Sequence, residues 1–215
     1  MGQESHILKK GDRPNVSLAS DTPYQFPASG ELPLPHRPVV VGSGPAGLFC
    51  AYLLAKHGYA PIILERGKCM EERARDVETF WQGNQLSPES NIQFGEGGAG
   101  AFSDGKLNTL VKDVKGRCQA ALDIFIRHGA PEEIGYQSKP HIGTDLLRGV
   151  ITDMRRQIEA WGGSFLFQTR MDGLTFRQGR LAGLTCTQKG NPVSIDTGVA
   201  ILAIGHSARD TFRLL

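Results

Sequence analysis

The sequence predicts an α/β fold: a parallel sheet with flanking helices, to which an antiparallel β-meander is added. Three observations predict it. Residues 38–65 read as strand, helix and strand, a βαβ unit whose two strands must run parallel. Both strands are unbroken apolar runs, Pro38-Val39-Val40-Val41 and Pro61-Ile62-Ile63-Leu64, the mark of strands buried on both faces. From residue 165 onward, strand candidates follow one another with no helix between them, which points to antiparallel neighbours.

Taken in order, residues 1–37 contain Pro14, Pro23, Pro27, Pro33 and Pro35 without sustained periodicity, so they read as an irregular leader or the remnant of an upstream segment. The domain runs from 38 to 215. Proline is tolerated as a strand's first residue, as at Pro38. The helix at 45–57 has Pro45 in its first turn, Lys56 and His57 at its negative end and Gly58 as a stop. Residues 69–82 form a heavily charged helix, and 91–108 a glycine-rich stretch. A helix near 114–128 places Cys118, Ala121, Leu122 and Phe125 on one face. A clearer helix at 144–161 has Thr144 as N-cap, a stripe of Leu147, Val150, Ile151, Met154 and Ile158, and Gly162-Gly163 as its end. Strand candidates follow at 165–169, 171–176, 181–187 and 193–204, with turns at Gln178-Gly179 and Gly190-Asn191-Pro192. Residues 211–215 open a further helix.

Composition narrows the function classes. The 215 residues are 40% hydrophobic, enough for one sizeable core. The net charge of +2, from 24 basic and 22 acidic residues, gives no bias toward nucleic acid or membrane. Cys50, Cys69, Cys118 and Cys186 lie far apart with no C-x-x-C pair, against a zinc site, a dithiol centre or a disulfide framework. There is no apolar run of the roughly 18 residues a membrane span needs. The N-terminus lacks the apolar run of a signal peptide, and His6 stands where a myristoylation motif starting at Met1-Gly2 wants Ser or Thr. The expected location is the cytoplasm.

The strongest chemical signal is Gly42-Ser43-Gly44-Pro45-Ala46-Gly47, set between the first strand and its helix. That context separates a dinucleotide fingerprint from a chance match. Gly42 turns the chain off the strand, Gly44 lets backbone N–H groups approach a diphosphate, and Gly47 lets helix and sheet pack closely. The helix N-terminus offers unpaired N–H groups and about half a positive charge. Ala51 is small where the helix meets the sheet, and Glu65 ends the second strand, where a carboxylate can accept hydrogen bonds from ribose hydroxyls and repel a 2′-phosphate. The reading is a Rossmann-like FAD/NAD(P)-binding domain; spacing alone does not choose between NAD and FAD.

Gly44-Pro45-Ala46-Gly47-Leu48 with Glu65-Arg66-Gly67 resembles the flavoproteins related to glutathione reductase. Two later stretches are more specific. The run from Asn91 to Asn108, containing Phe94-Gly95-Glu96-Gly97-Gly98-Ala99-Gly100-Ala101-Phe102-Ser103-Asp104-Gly105-Lys106, and Ile201-Leu202-Ala203-Ile204-Gly205-His206-Ser207-Ala208-Arg209-Asp210 resemble uncharacterised NAD(P)/FAD-dependent dehydrogenases. The resemblance covers 38–215. It implies an FAD-dependent oxidoreductase, with NAD(P)H a candidate electron donor and no catalytic residue assigned. It also implies that the loop of Gly97, Gly98, Ala99, Gly100, Ser103 and Lys106 passes near the cofactor, whose other contacts include Arg66, Ala203 and Gly205. Successive N–H groups of such a loop can form an anion-binding concavity. His141 and His206 are candidates for the same neighbourhood, although a solvated or structurally bonded histidine is the commoner case.

The resemblance further implies a later Gly-Asp segment for the flavin half of the site, and none follows residue 110. The chain is therefore expected to be an N-terminal portion that carries the ADP half and, by itself, retains little flavin. The rivals are an NAD-binding dehydrogenase without flavin, which would continue alternating strands and helices after Glu65, and a flavoprotein of RNA modification, which the near-neutral charge disfavours.

Overall fold

A computed structural model of the chain describes residues 23–107, 109 and 111–215. Met1-Gly2, most of the leader (residues 1–22) and Asn108 lie outside the described residues. Two sheets form. In the first, β1 (Val39–Val41) is flanked by β2 (Ile62–Leu64) and β7 (Ala200–Leu202), and β3 (Ser164–Leu166) lies outside β2; all pairings are parallel, in the order β3-β2-β1-β7. The second sheet is antiparallel, β4 (Thr169–Arg177), β5 (Arg180–Gln188) and β6 (Asn191–Asp196). The helices are α1 (Pro45–Lys56), α2 (Met70–Gly83), α3 (Arg117–Arg127), α4 (Thr144–Ala160) and α5 (Arg209–Leu214), with 3₁₀ turns at Ala99–Phe102 and Glu132–Gly135.

Because side chains alternate along a strand, the parallel sheet has two apolar faces. Val40 and Ile63 pack with Leu48, Ala51, Tyr52 and Ala55 of α1 and with the α4 stripe, all five of whose members are buried. Val39, Val41 and Leu64 pack on the other side against Met171, Leu184 and Cys186 of the antiparallel sheet. The layers are thus helices, parallel sheet and antiparallel sheet, as an α/β fold with an added meander requires.

Several expectations change in detail. The apolar run at 193–204 is two strands: β6 closes the antiparallel sheet, and the chain then crosses back so that β7 pairs with β1. Residues 165–169 likewise split, with β3 in the parallel sheet and Thr169 opening β4. The second hairpin turns at Lys189 and Gly190, both with positive φ (48° and 84°), while Asn191 and Pro192 already belong to β6. Gln178 and Gly179 turn the first hairpin as expected, with φ of 50° and 73°. Thr144 is not the N-cap; Gly143 is, and the Thr144 hydroxyl donates to the Ser103 carbonyl at 3.0 Å. In α3 the buried residue is Ile124, with Cys118, Ala121, Leu122 and Phe125 half-buried around it. At residues 23–37 no helix or strand forms, but Arg37 fastens this segment to the sheet through the carbonyls of Ala60, Pro61 and Gly162.

Candidate functional site

The carboxyl ends of β1, β2 and β7 open onto a cavity of about 620 Å³. Four backbone segments meet there. Gly42, Gly44, Pro45 and Ala46 come from the β1–α1 turn, Glu65 and Arg66 from the end of β2, Gly98 and Ala99 from the glycine-rich loop, and Ala203 and Gly205 from the chain after β7. No side chain caps α1, whose first intrahelical bond runs from Leu48 N–H to Gly44 C=O at 2.8 Å. Pro45 has no N–H, so in the first turn it is Ala46, on the cavity wall, that offers a donor without a capping side chain.

The close packing behind this turn explains two glycines. Gly42 has φ 100°, and a Cβ there would collide with the Ala203 carbonyl. A Cβ on Gly47 would run into the Gly42 carbonyl. Gly47 and Ser43 are themselves buried and do not line the cavity. The glycine-rich loop is bonded directly to the fingerprint, since Gly97 N–H donates to Ser43 C=O at 2.9 Å.

Glu65 stands where the sequence places it, at the same end of the sheet as Gly44, but its carboxylate is already engaged. Oε2 accepts from Ser43 N–H (3.0 Å) and Ser43 Oγ–H (2.7 Å), and Oε1 accepts from Gly67 N–H (2.8 Å) and Gly95 N–H (3.1 Å). A carboxylate has about four lone-pair sites, so a ribose hydroxyl must share one of these or displace the Ser43 hydroxyl. Arg66 is similarly held: it bonds Glu89 at 2.8 Å and both oxygens of Asp210 at 3.0 Å, with its guanidinium 4.3 Å from the Phe94 ring centre.

The glycine-rich loop owes its shape to a residue that sequence reasoning passed over. Arg73, inside the charged helix α2, is fully buried, and its guanidinium donates to the carbonyls of Asn91, Ile92, Gly95, Glu96 and Gly98 at 2.5–3.3 Å. Burial pulls its pKa down to about 10, with Glu65 and Glu96 opposing, so it stays cationic at neutral pH. Glu96, also fully buried, accepts from Met70 N–H at 2.7 Å and Arg155 Nε–H at 2.8 Å; burial pushes its carboxyl up to about 7, against the pull of Arg155.

Of the remaining expected site residues, Gly97, Gly100, Ser103 and Lys106 do not line the cavity. Ser103 Oγ–H donates to Gly100 C=O, and Lys106 is an exposed ion-pair partner of Asp104 whose backbone bridges His141. His206 does line it, whereas His141 does not. The wall also includes Thr169, Arg170, Met171 and Phe212, which the sequence did not single out. Their only signal was position, at the start of β4 and just after the Ala203–Gly205 turn. Among the described residues no group of three or more His, Cys, Asp or Glu side chains is placed to hold a metal, and no helix is long and apolar enough to cross a membrane.

Comparison with known proteins agrees with this geometry. Residues 40–84, which span β1, α1, β2 and α2, match the NAD(P)-binding Rossmann-like domain family. An uncharacterised protein of Clostridium beijerinckii is 44% identical over 213 residues; the alignment covers 99% of this chain and 39% of the relative, so the chain spans about two fifths of that protein's length. Among solved structures, THI4 of Thermovibrio ammonificans superposes with a TM-score of 0.53 at 19% identity, over 81% of this chain and 58% of that one. The 3-ketosteroid-Δ4-(5α)-dehydrogenase of Rhodococcus jostii superposes with a TM-score of 0.51 at 15% identity, over 86% and 49%. At these identities the likeness is one of fold.

Proposed function

We propose that this chain, with its Rossmann-like dinucleotide-binding unit at residues 40–84, holds the ADP part of FAD in the 620 Å³ cavity and serves an FAD-dependent oxidoreductase. The observation that carries the reading is the convergence of the uncapped α1 N-terminus with two further side-chain-poor segments, Gly98-Ala99 and Ala203–Gly205, on one cavity. A simple nicotinamide-binding Rossmann unit needs the first of these. The loop bonded across Ser43 and the antiparallel sheet inserted before β7 add further wall to the cavity, Gly98, Ala99 and Thr169 to Met171, which supports the longer FAD over a nicotinamide dinucleotide.

In this reading the first-turn N–H groups of α1 and its positive end hold the diphosphate. Gly98 and Ala99 bring the second loop against it, and Arg66 and Glu65 frame the adenosine side. The flavin, when bound, supplies the redox chemistry, and the chain supplies position and exclusion of water. The electron donor, with NAD(P)H the candidate, and the substrate belong to the whole protein.

Ala46→Asp tests the proposal. Ala46 is exposed on the cavity wall, and a carboxylate in the first turn suits the helix dipole, so the variant should fold as well as the parent. The same carboxylate repels a diphosphate, and affinity for ADP and FAD, read by calorimetry and flavin fluorescence, should fall about tenfold or more. Unchanged ADP affinity in Ala46→Asp would overturn the reading.

A further inference from the structure

A second cavity, of about 230 Å³, adjoins the first and shares Arg66 and Arg170 with it. It is below the roughly 300–1,000 Å³ that organic ligands usually occupy, a size suited to one small group. Its walls carry Arg66, Lys68, Arg170 and Lys189 against a single carboxylate, Glu89.

Three features indicate what it takes. First, Glu89 lies between two guanidiniums, 2.8 Å from Arg66 Nε and 3.5 Å from Arg170 Nη1, yet its side chain is 45% exposed. It occupies the position an incoming oxyanion would take and can swing out to water. Second, Ser90 on the wall is 2% exposed, and its hydroxyl has no hydrogen-bond partner. Native structures rarely leave a buried hydroxyl without a partner, so a small side-chain movement that brings it to a ligand or water is favoured. Third, Lys189 forms no ion pair among the described residues, while its backbone is fixed by the bond from its N–H to Gln168 C=O at 2.9 Å. The other cations have carboxylates outside the cavity wall, Asp76 for Lys68, Asp172 for Arg170 and Asp210 for Arg66, so a ligand competes within it chiefly with Glu89.

The geometry points to an oxyanion site in this second cavity, taking a phosphate or carboxylate group in exchange for the Glu89 side chain. Planar guanidiniums bind such groups in a fork. The group belongs to a separate phosphorylated or carboxylated molecule, since the FAD proposed for the neighbouring cavity carries no 2′-phosphate and Glu65 on its wall repels one.

Inorganic phosphate is the probe, titrated calorimetrically into the 215-residue chain. The parent should bind at millimolar concentration, and Glu89→Gln, which removes the competing charge, should bind about tenfold more tightly. Lys189→Gln should weaken binding about threefold in the parent background, a reading that does not depend on how well Glu89→Gln folds. Added salt should weaken binding throughout. If neither parent nor Glu89→Gln takes up phosphate, or if Lys189→Gln leaves the affinity unchanged, the site does not exist. Phosphate binding indifferent to NADP⁺ and NAD⁺ supports a separate molecule as the source; competition by NADP⁺ but not NAD⁺ would overturn that assignment. Arg66 and Arg170 line both cavities, but Lys189 lines only the second, so Lys189→Gln should lower phosphate affinity and leave ADP affinity in the first cavity unchanged.

Discussion

Glu65 joins three pieces of chain: the fingerprint through Ser43, the β2 end through Gly67 and the glycine-rich loop through Gly95. Glu65→Gln exchanges one acceptor oxygen for an amide that can only donate, leaving one pair of these donors facing another donor. The expected result is a loss of about 2 kcal/mol or more in denaturant unfolding of the ligand-free chain, because buried groups stripped of a charged acceptor cost that much. A carboxylate used only for ribose would leave ligand-free stability unchanged. The position of Glu65 was legible in the sequence, since a carboxylate after an apolar strand is a recognisable mark; its internal bonds were not, because they depend on Gly95, which approaches only through the tertiary fold. Arg73 was less legible still. In a helix reading Glu71-Glu72-Arg73-Ala74-Arg75-Asp76 an arginine looks solvated, and only the folded loop shows five carbonyls turned onto it.

Between elements, the glycine-rich loop and the helices α2 and α4 are held together by buried hydrogen bonds as well as apolar contact. Glu96 meets Met70 N–H at the start of α2 and Arg155 on α4, and Arg155 also binds Glu71 at 2.8 Å. Since the folded Glu96 holds its proton up to about pH 7 against an ordinary 4.5, the native state binds more protons than the unfolded chain in that interval. Its contribution is therefore greatest below pH 4.5 and is lost as pH rises through 7, a change of up to about 3 kcal/mol. Unfolding free energies between pH 5 and 8 should show this decline, and Glu96→Gln should flatten it. The packing of α4 was readable because its five apolar residues recur at helical spacing. The split of 193–204 was not. Val193 to Ile204 is apolar at both ends, and the break falls at Thr197-Gly198-Val199, where buried Thr197 bonds the carbonyls of Arg37 and Val199 instead of continuing a strand.

At the scale of the molecule, the antiparallel sheet is an insertion between β3 and β7, and the parallel sheet is completed only by the return of the chain to β1. Ala203 N–H bonds Val41 C=O at 2.8 Å, and this contact fixes the cavity's fourth segment, Ala203–Gly205. Ala203→Pro removes that donor. Hydrogen exchange should then accelerate at Val39–Val41 more than in α4, and ADP affinity should fall; equal protection of β1 in parent and variant would show that β7 is not what closes it.

The pairing of Val39–Val41 with Ala200–Leu202 also sets a schedule for synthesis. As the chain leaves the ribosome, β1 can find β2 early, but its other side stays an open edge of unpaired amides on a wholly apolar strand until some 160 residues later. During that interval the unpaired side of Val39–Val41 offers a template for stray β-strands until Ala200–Leu202 closes it.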